Sequence, residues 1–160
     1  MAYVSMEQLI MKLASIPEKI CAEVKKSMKV SAAEVRDTAK KKFGKFQPAV
    51  GDFPAWDLLT IETLHRKMDQ GGAESEDPLV GHYPPGEGNH VWNQPLRGTI
   101  DYKVDGMIAA VGTDDPLGEY HEYGTKHIPP RPFLRPALYE SQVKIKENVK
   151  DALGEAMKRL

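Results

Sequence analysis

The stretch Thr99-Ile100-Asp101-Tyr102-Lys103-Val104-Asp105-Gly106-Met107-Ile108-Ala109-Ala110-Val111-Gly112 decides the fold. Asp105-Gly106 is a two-residue hairpin turn of the kind that favours positive φ. Counting outward pairs Val104 with Met107, Tyr102 with Ala109, and Ile100 with Val111, so that six apolar residues share one face. Thr99, Asp101 and Lys103 lie opposite Ile108, Ala110 and Gly112 on a wetter face. An antiparallel pair with one dry face needs a helix packed on it. Two strands alone are marginal, so a third is expected, from the Pro78–Tyr83 region or from residues near Tyr120.

Helices flank the hairpin on both sides. Downstream, a helix is expected from about Pro136, since proline suits a first turn. Leu138, Ile145, Val149, Ala152, Ala156 and Leu160 form its stripe. Upstream, Ser5 and Gln8 fit a capping box. Leu9, Leu13, Ile16, Ile20, Val24, Met28, Val35 and Ala39 then follow at helical spacing. Pro17 predicts a kink or break near Ser15. The second part runs to about Phe43, with Lys40, Lys41 and Lys42 in its last turn and Gly44 as a left-handed cap. That part alone would be about 40 Å long. The radius of gyration expected for this length is near 15 Å. The helix therefore crosses the domain or outruns it.

Residues 44–59 read as irregular, broken by Pro48, Gly51 and Pro54, with Trp56 and Leu59 at their end. Thr60 caps a short helix through Met68. Residues 70–95 are rich in glycine and proline and are expected to be a flexible loop, mobile in the isolated subunit. The order of elements makes the chain α+β. It reads as one domain over 1–160, with a long N-terminal helical region at 5–43, a C-terminal helix, and a small antiparallel sheet with its hairpin at 99–112.

Composition narrows the chemistry. A single cysteine, Cys21, excludes a disulfide framework and a cysteine-based zinc cage, and reads as a small buried hydrophobe. No apolar run approaches the ~18 residues of a membrane span. The net charge of −1 argues against general nucleic-acid binding. The charge is blocked, however. Residues 1–47 hold ten Lys/Arg against five Asp/Glu, 48–124 hold four against fourteen, and 125–160 hold eight against four. An acidic middle between basic ends suits head-to-tail self-association, although solvated faces also drift in sign by chance.

His121, Glu122 and His127 form the best titratable cluster. Their spacing is not that of a zinc helix, and Gly124, Pro129 and Pro130 oppose a shared helix face, so ordinary loop hydrogen bonding is the plainer reading. His82 and His90 flank the Gly/Pro loop, and Gly86-Glu87-Gly88 lacks the lysine of a phosphate loop. Trp56, Trp92, Tyr120 and Tyr123 fit core or interface better than base stacking. No catalytic, cofactor-binding or metal-binding residue is assigned.

Residues 117–138 carry a more specific pattern: Glu122, Tyr123, Gly124, Thr125, a spacer, then Pro129, Arg131, Pro132, Phe133 and Leu134, with Pro136 beyond. The pattern resembles tailed-phage tail-completion and neck proteins, including the minor tail protein Z type of lambdoid phages and the virion-morphogenesis type of Mu-like phages. Trp56, Leu59, Thr63 and Lys67 resemble an upstream segment of the Mu-like branch. A Thr-Gly-x-Leu-x-x-Ser segment usual in the family is replaced here by Pro95-Leu96-Arg97-Gly98-Thr99.

The resemblance implies a non-enzymatic virion assembly protein at the tail and head–tail junction, with no cofactor. It implies self-association, usually as a ring (a hexamer among the candidates), and contacts with other tail or neck proteins. No membrane and no specific nucleic acid is implied. The chain would reside in the virion, and in the host bacterial cytoplasm during assembly. The alternatives are a small metal-dependent enzyme using His121, Glu122 and His127, or a nucleic-acid-binding module. On physical grounds the motif reads as a rigid hinge. Gly124 permits a turn, the prolines stiffen the lead into the last helix, and Phe133 and Leu134 anchor that helix to the sheet. Arg131 and Arg135 offer forked donors to nearby carbonyls or acids.

Overall fold

A computed structural model describes residues 6–69 and 96–158, with side chains described for 18–65, 69 and 96–158. The elements are α1 (Met6–Lys40), α2 (Ile61–Asp69), α3 (Leu96–Thr99), β1 (Asp101–Asp105), β2 (Ile108–Gly112), α4 (Pro116–Tyr123) and α5 (Leu134–Lys158). The fold is α+β: long N- and C-terminal helices pack with a small antiparallel hairpin. Among the described residues no helix is long and apolar enough to cross a membrane. The expected loop at 70–95 lies outside the described residues, as do His82, Gly86-Glu87-Gly88, His90 and Trp92.

Helix α1 runs as one element over 35 residues, about 52 Å, so of the kink or break expected near Ser15 the break does not occur. Proline's fixed φ is itself helical, and its ring removes only one backbone bond, which a long helix tolerates. The helix gives way to a turn at 41–44, closed at Gly44 with φ 84°. Of its stripe, Val24, Val35 and Ala39 are buried and Ile20 and Met28 half-buried, with Ala32 buried beside them; the side chains of Leu9, Leu13 and Ile16 lie outside the described residues. Cys21 does not belong to that stripe and is exposed, contrary to expectation, because the buried face runs through Val24, Ser27 and Ser31 instead.

Helix α5 lies antiparallel along α1. Lys42 Nζ meets Glu140 at 2.8 Å, Lys144 Nζ meets Glu34 at 2.8 Å, and Asn148 donates to Ser31 at 3.1 Å. α5 starts two residues before the expected Pro136, and Leu138 is exposed instead of lying in its stripe. The rest of the expected stripe is turned inward, Ala156 buried and Ile145, Val149 and Ala152 half-buried, and Ala137 and Ser141 join it; Leu160 lies outside the described residues.

The hairpin keeps its expected faces with a different register. Asp105 pairs with Ile108, Val104 with Ala109, and Tyr102 with Val111. The loop is thus Gly106-Met107, with φ 57° at Gly106 and no positive φ at Met107, which matches a type II′ turn with glycine first. The slip is by two residues, so inward residues stay inward. Met107 and Ile108 are exposed at the tip and edge. Among the described residues the sheet has two strands. Tyr120 lies in α4 and supplies no third, while Pro78–Tyr83 is outside the described residues. Packing of the hairpin on α1, with Arg36 over the Tyr102 ring at 5.2 Å, takes the place of a further strand.

The core joins Val35 and Ala39 of α1, Trp56, Leu96, Ile100, Phe133 and Ala137, with Phe43, Phe46, Val111 and Leu117 against it. Phe133 meets Phe43 edge to face at 5.2 Å. It therefore fastens the head of α5 to the turn that follows α1, and through the cluster it shares with Ile100 and Val111 it also reaches the hairpin.

Candidate functional site

The residues of the family-like motif converge on one carboxylate. Helix α4 begins where Asp115 Oδ1 accepts the Leu117 amide at 2.9 Å and Pro116 fills the first position. Seven residues after Asp115 it delivers Glu122 to the start of α5. Glu122 Oε2 accepts the amides of Phe133 and Leu134 at 2.9 and 3.0 Å. Its Oε1 accepts the Arg135 amide and Arg135 Nε, each at 2.9 Å. The first amides of any helix lack internal partners, and the positive end of its dipole favours an anion. A carboxylate from α4 thus caps α5, and the cap is almost fully buried.

Arg135 closes the arrangement from outside. Its Nη2 donates to the Glu122 carbonyl at 2.6 Å, and its guanidinium stands over Tyr123 at 4.6 Å and Phe53 at 5.5 Å. Between the two helices the chain turns at Gly124, with φ 76°. Thr125 shapes the turn: its amide donates to the Ile128 carbonyl at 2.8 Å, and its Oγ1 accepts the His127 and Ile128 amides at 3.2 and 3.1 Å.

Arg131 ties this turn to residues 56–57. Its amide donates to the His121 carbonyl at 2.7 Å, and its Nε and Nη2 donate to the Asp57 carbonyl at 3.3 and 3.0 Å. Burial lowers the pKa of the Arg131 guanidinium from its ordinary value, with the Asp57 charge opposing the shift. Trp56 is buried beside it and donates its indole N–H to the Pro132 carbonyl at 3.2 Å.

The structure thus brings Trp56, Glu122, Tyr123, Gly124, Thr125, Arg131, Pro132, Phe133 and Leu134 into one clasp. Pro129 is half-buried beside the turn, and Pro136 is buried in the first turn of α5. Leu59 is half-buried, and Thr63 is engaged locally, its Oγ1 2.9 Å from that of Thr60 at the start of α2. The side chain of Lys67 lies outside the described residues.

Of the proposed metal or acid–base cluster, Glu122 has both oxygens committed to the α5 cap, and His127 is exposed. Among the described residues no group of three His, Cys, Asp or Glu is placed to hold a metal ion. The sequence reading overlooked the Lys42–Glu140 pair and the α4 cap. Asp115-Pro116 announces that cap; nothing in the sequence announces a lysine buried across 98 residues of chain. No protein-family model, curated protein or solved structure matches this chain.

Proposed function

We propose that the chain is a structural virion assembly protein of a phage tail or neck, completing the tail end and helping to join tail to head by ring-like self-association. One observation carries the reading: the two separate stretches that resemble the family meet, with Trp56 bonded to Pro132 and Arg131 to the carbonyl of Asp57. Residues alike for a shared structural reason should touch, and these do. The chemistry of the clasp points the same way. Its ionisable groups hold backbone amides and carbonyls of the chain itself, which fixes the angle between α4 and α5. Copies of the chain and other tail or neck proteins are its partners, in the virion and in the bacterial cytoplasm where virions assemble.

Mass measurement across a concentration series, followed by electron microscopy, tests the proposal. Closed rings at high concentration, or rings seated on tails that lack this protein, are expected. A chain that stays monomeric at every concentration and binds no tail end overturns it.

A further inference from the structure

Helix α5 has two usable faces. One packs on α1. On the opposite side Val143, Lys146, Lys150, Leu153 and Met157 follow in alternating steps of three and four, which align them on a helix. Val143 and Met157 are each 68% exposed, and Leu153 is exposed between them. Single exposed apolar residues are ordinary. Three in register over about 21 Å of helix form a seat. Both polar positions within it are lysines, so its counterpart should be apolar with carboxylates alongside.

The chain carries such a counterpart before and within α2. Leu58 is 77% exposed and Ile61 73%, with Asp57, Glu62 and Asp69 exposed beside them. In its own molecule this segment leaves the stripe open, since Leu58, Ile61, Val143 and Met157 are all exposed, and Leu58 and Ile61 are tethered too far away to reach its distal half. Trp56 and Asp57 are bonded to Pro132 and Arg131, at the head of α5. Leu58 and Ile61 lie within about 15 Å of that anchor, even on a fully extended chain. Leu153 and Met157 lie about 28–35 Å down α5 from Leu134.

We infer that the outer stripe of α5 seats segment 57–69 of a second copy of the chain, through exposed Leu58 and Ile61 and the carboxylates of Asp57, Glu62 and Asp69 beside them. The two surfaces differ, so the contact is heterologous and repeats from subunit to subunit, closing into a ring where the rotation allows. The inference rests on the self-association proposed above and supplies its interface.

A charge swap tests it, read by sedimentation. The pair Lys146→Glu with Lys150→Glu, and separately the pair Glu62→Lys with Asp69→Lys, should each weaken association by about tenfold or more. All four changes in one chain should restore it, and no variant should change the melting temperature of the monomer. If the wild-type chain associates and the variants associate equally well, this interface is wrong while the ring reading stands. If the wild-type chain never associates, both fall. A second variant, Val143→Glu with Met157→Glu, should abolish association and leave the monomer's melting temperature unchanged. A marked fall in that temperature overturns the inference, because it would mean that the chain's own residues 70–95 cover the stripe.

Discussion

Gly124 stands where a side chain would collide: a Cβ there would lie 2.9 Å from the Ile128 carbonyl oxygen and 2.9 Å from the Pro130 nitrogen. Gly124→Ala should therefore cost ~1–3 kcal/mol in backbone strain, with the collision added, and chemical denaturation would show it as a lower midpoint. Glu122→Ala leaves three amides and Arg135 Nε without their acceptor and should cost ~3 kcal/mol or more by the same measurement. Phe133 is fully buried, and Phe133→Ala should cost ~3–5 kcal/mol; an unchanged melting curve would contradict its place against Phe43. The importance of Gly124 and Phe133 was legible in the sequence because glycine and aromatic residues declare their own needs. The task of Glu122 was not, since its amide partners lie 11–13 residues away, beyond any helical spacing.

At the scale of elements, α1 and α5 are joined by a buried lysine. The Lys42 side chain is 5% exposed and pairs with Glu140 at 2.8 Å. Glu140→Ala strands a buried cation and should cost ~3 kcal/mol, whereas Lys42→Met combined with Glu140→Ala should recover most of that loss. Thermal melts of the two variants side by side decide the matter; equal destabilisation would mean that Lys42 escapes to water. The long helices were legible because a stripe repeated over many turns outweighs one proline. The hairpin's faces were legible although its register was not, since period-two patterning survives a slip of two. Glycine's preference for the first loop position, rather than the second, set the difference. Helix α4 escaped notice because eight residues, one of them Gly118, are too few to show a period.

For the whole molecule, the charge blocks and the α5 stripe lead to one expectation. Association should weaken as salt rises, since rim charges are screened over ~8–10 Å at physiological strength, while the folded subunit stays intact. Sedimentation and circular dichroism at matched salt concentrations would separate the two effects. Two-fold symmetric dimers indifferent to salt would contradict the charge argument. Architecture was readable from order and periodicity alone. The outer stripe of α5 was not, because its apolar residues are few and become conspicuous only once α1 is seen to occupy the other side.

The antiparallel pairing of α1 with α5 also sets a schedule for biosynthesis. Ser31 and Asn148 are partners across 117 residues of chain. At about 5–20 residues per second, the ribosome delivers the second of them roughly 6–23 s after the first. Throughout that interval the apolar side of α1 at Val24, Val35 and Ala39 has been made and its helical partner has not. A nascent chain in this state is open to chaperones and to the α1 of a neighbouring polysome, so slowing translation between codons 60 and 130 should lower the yield of soluble protein.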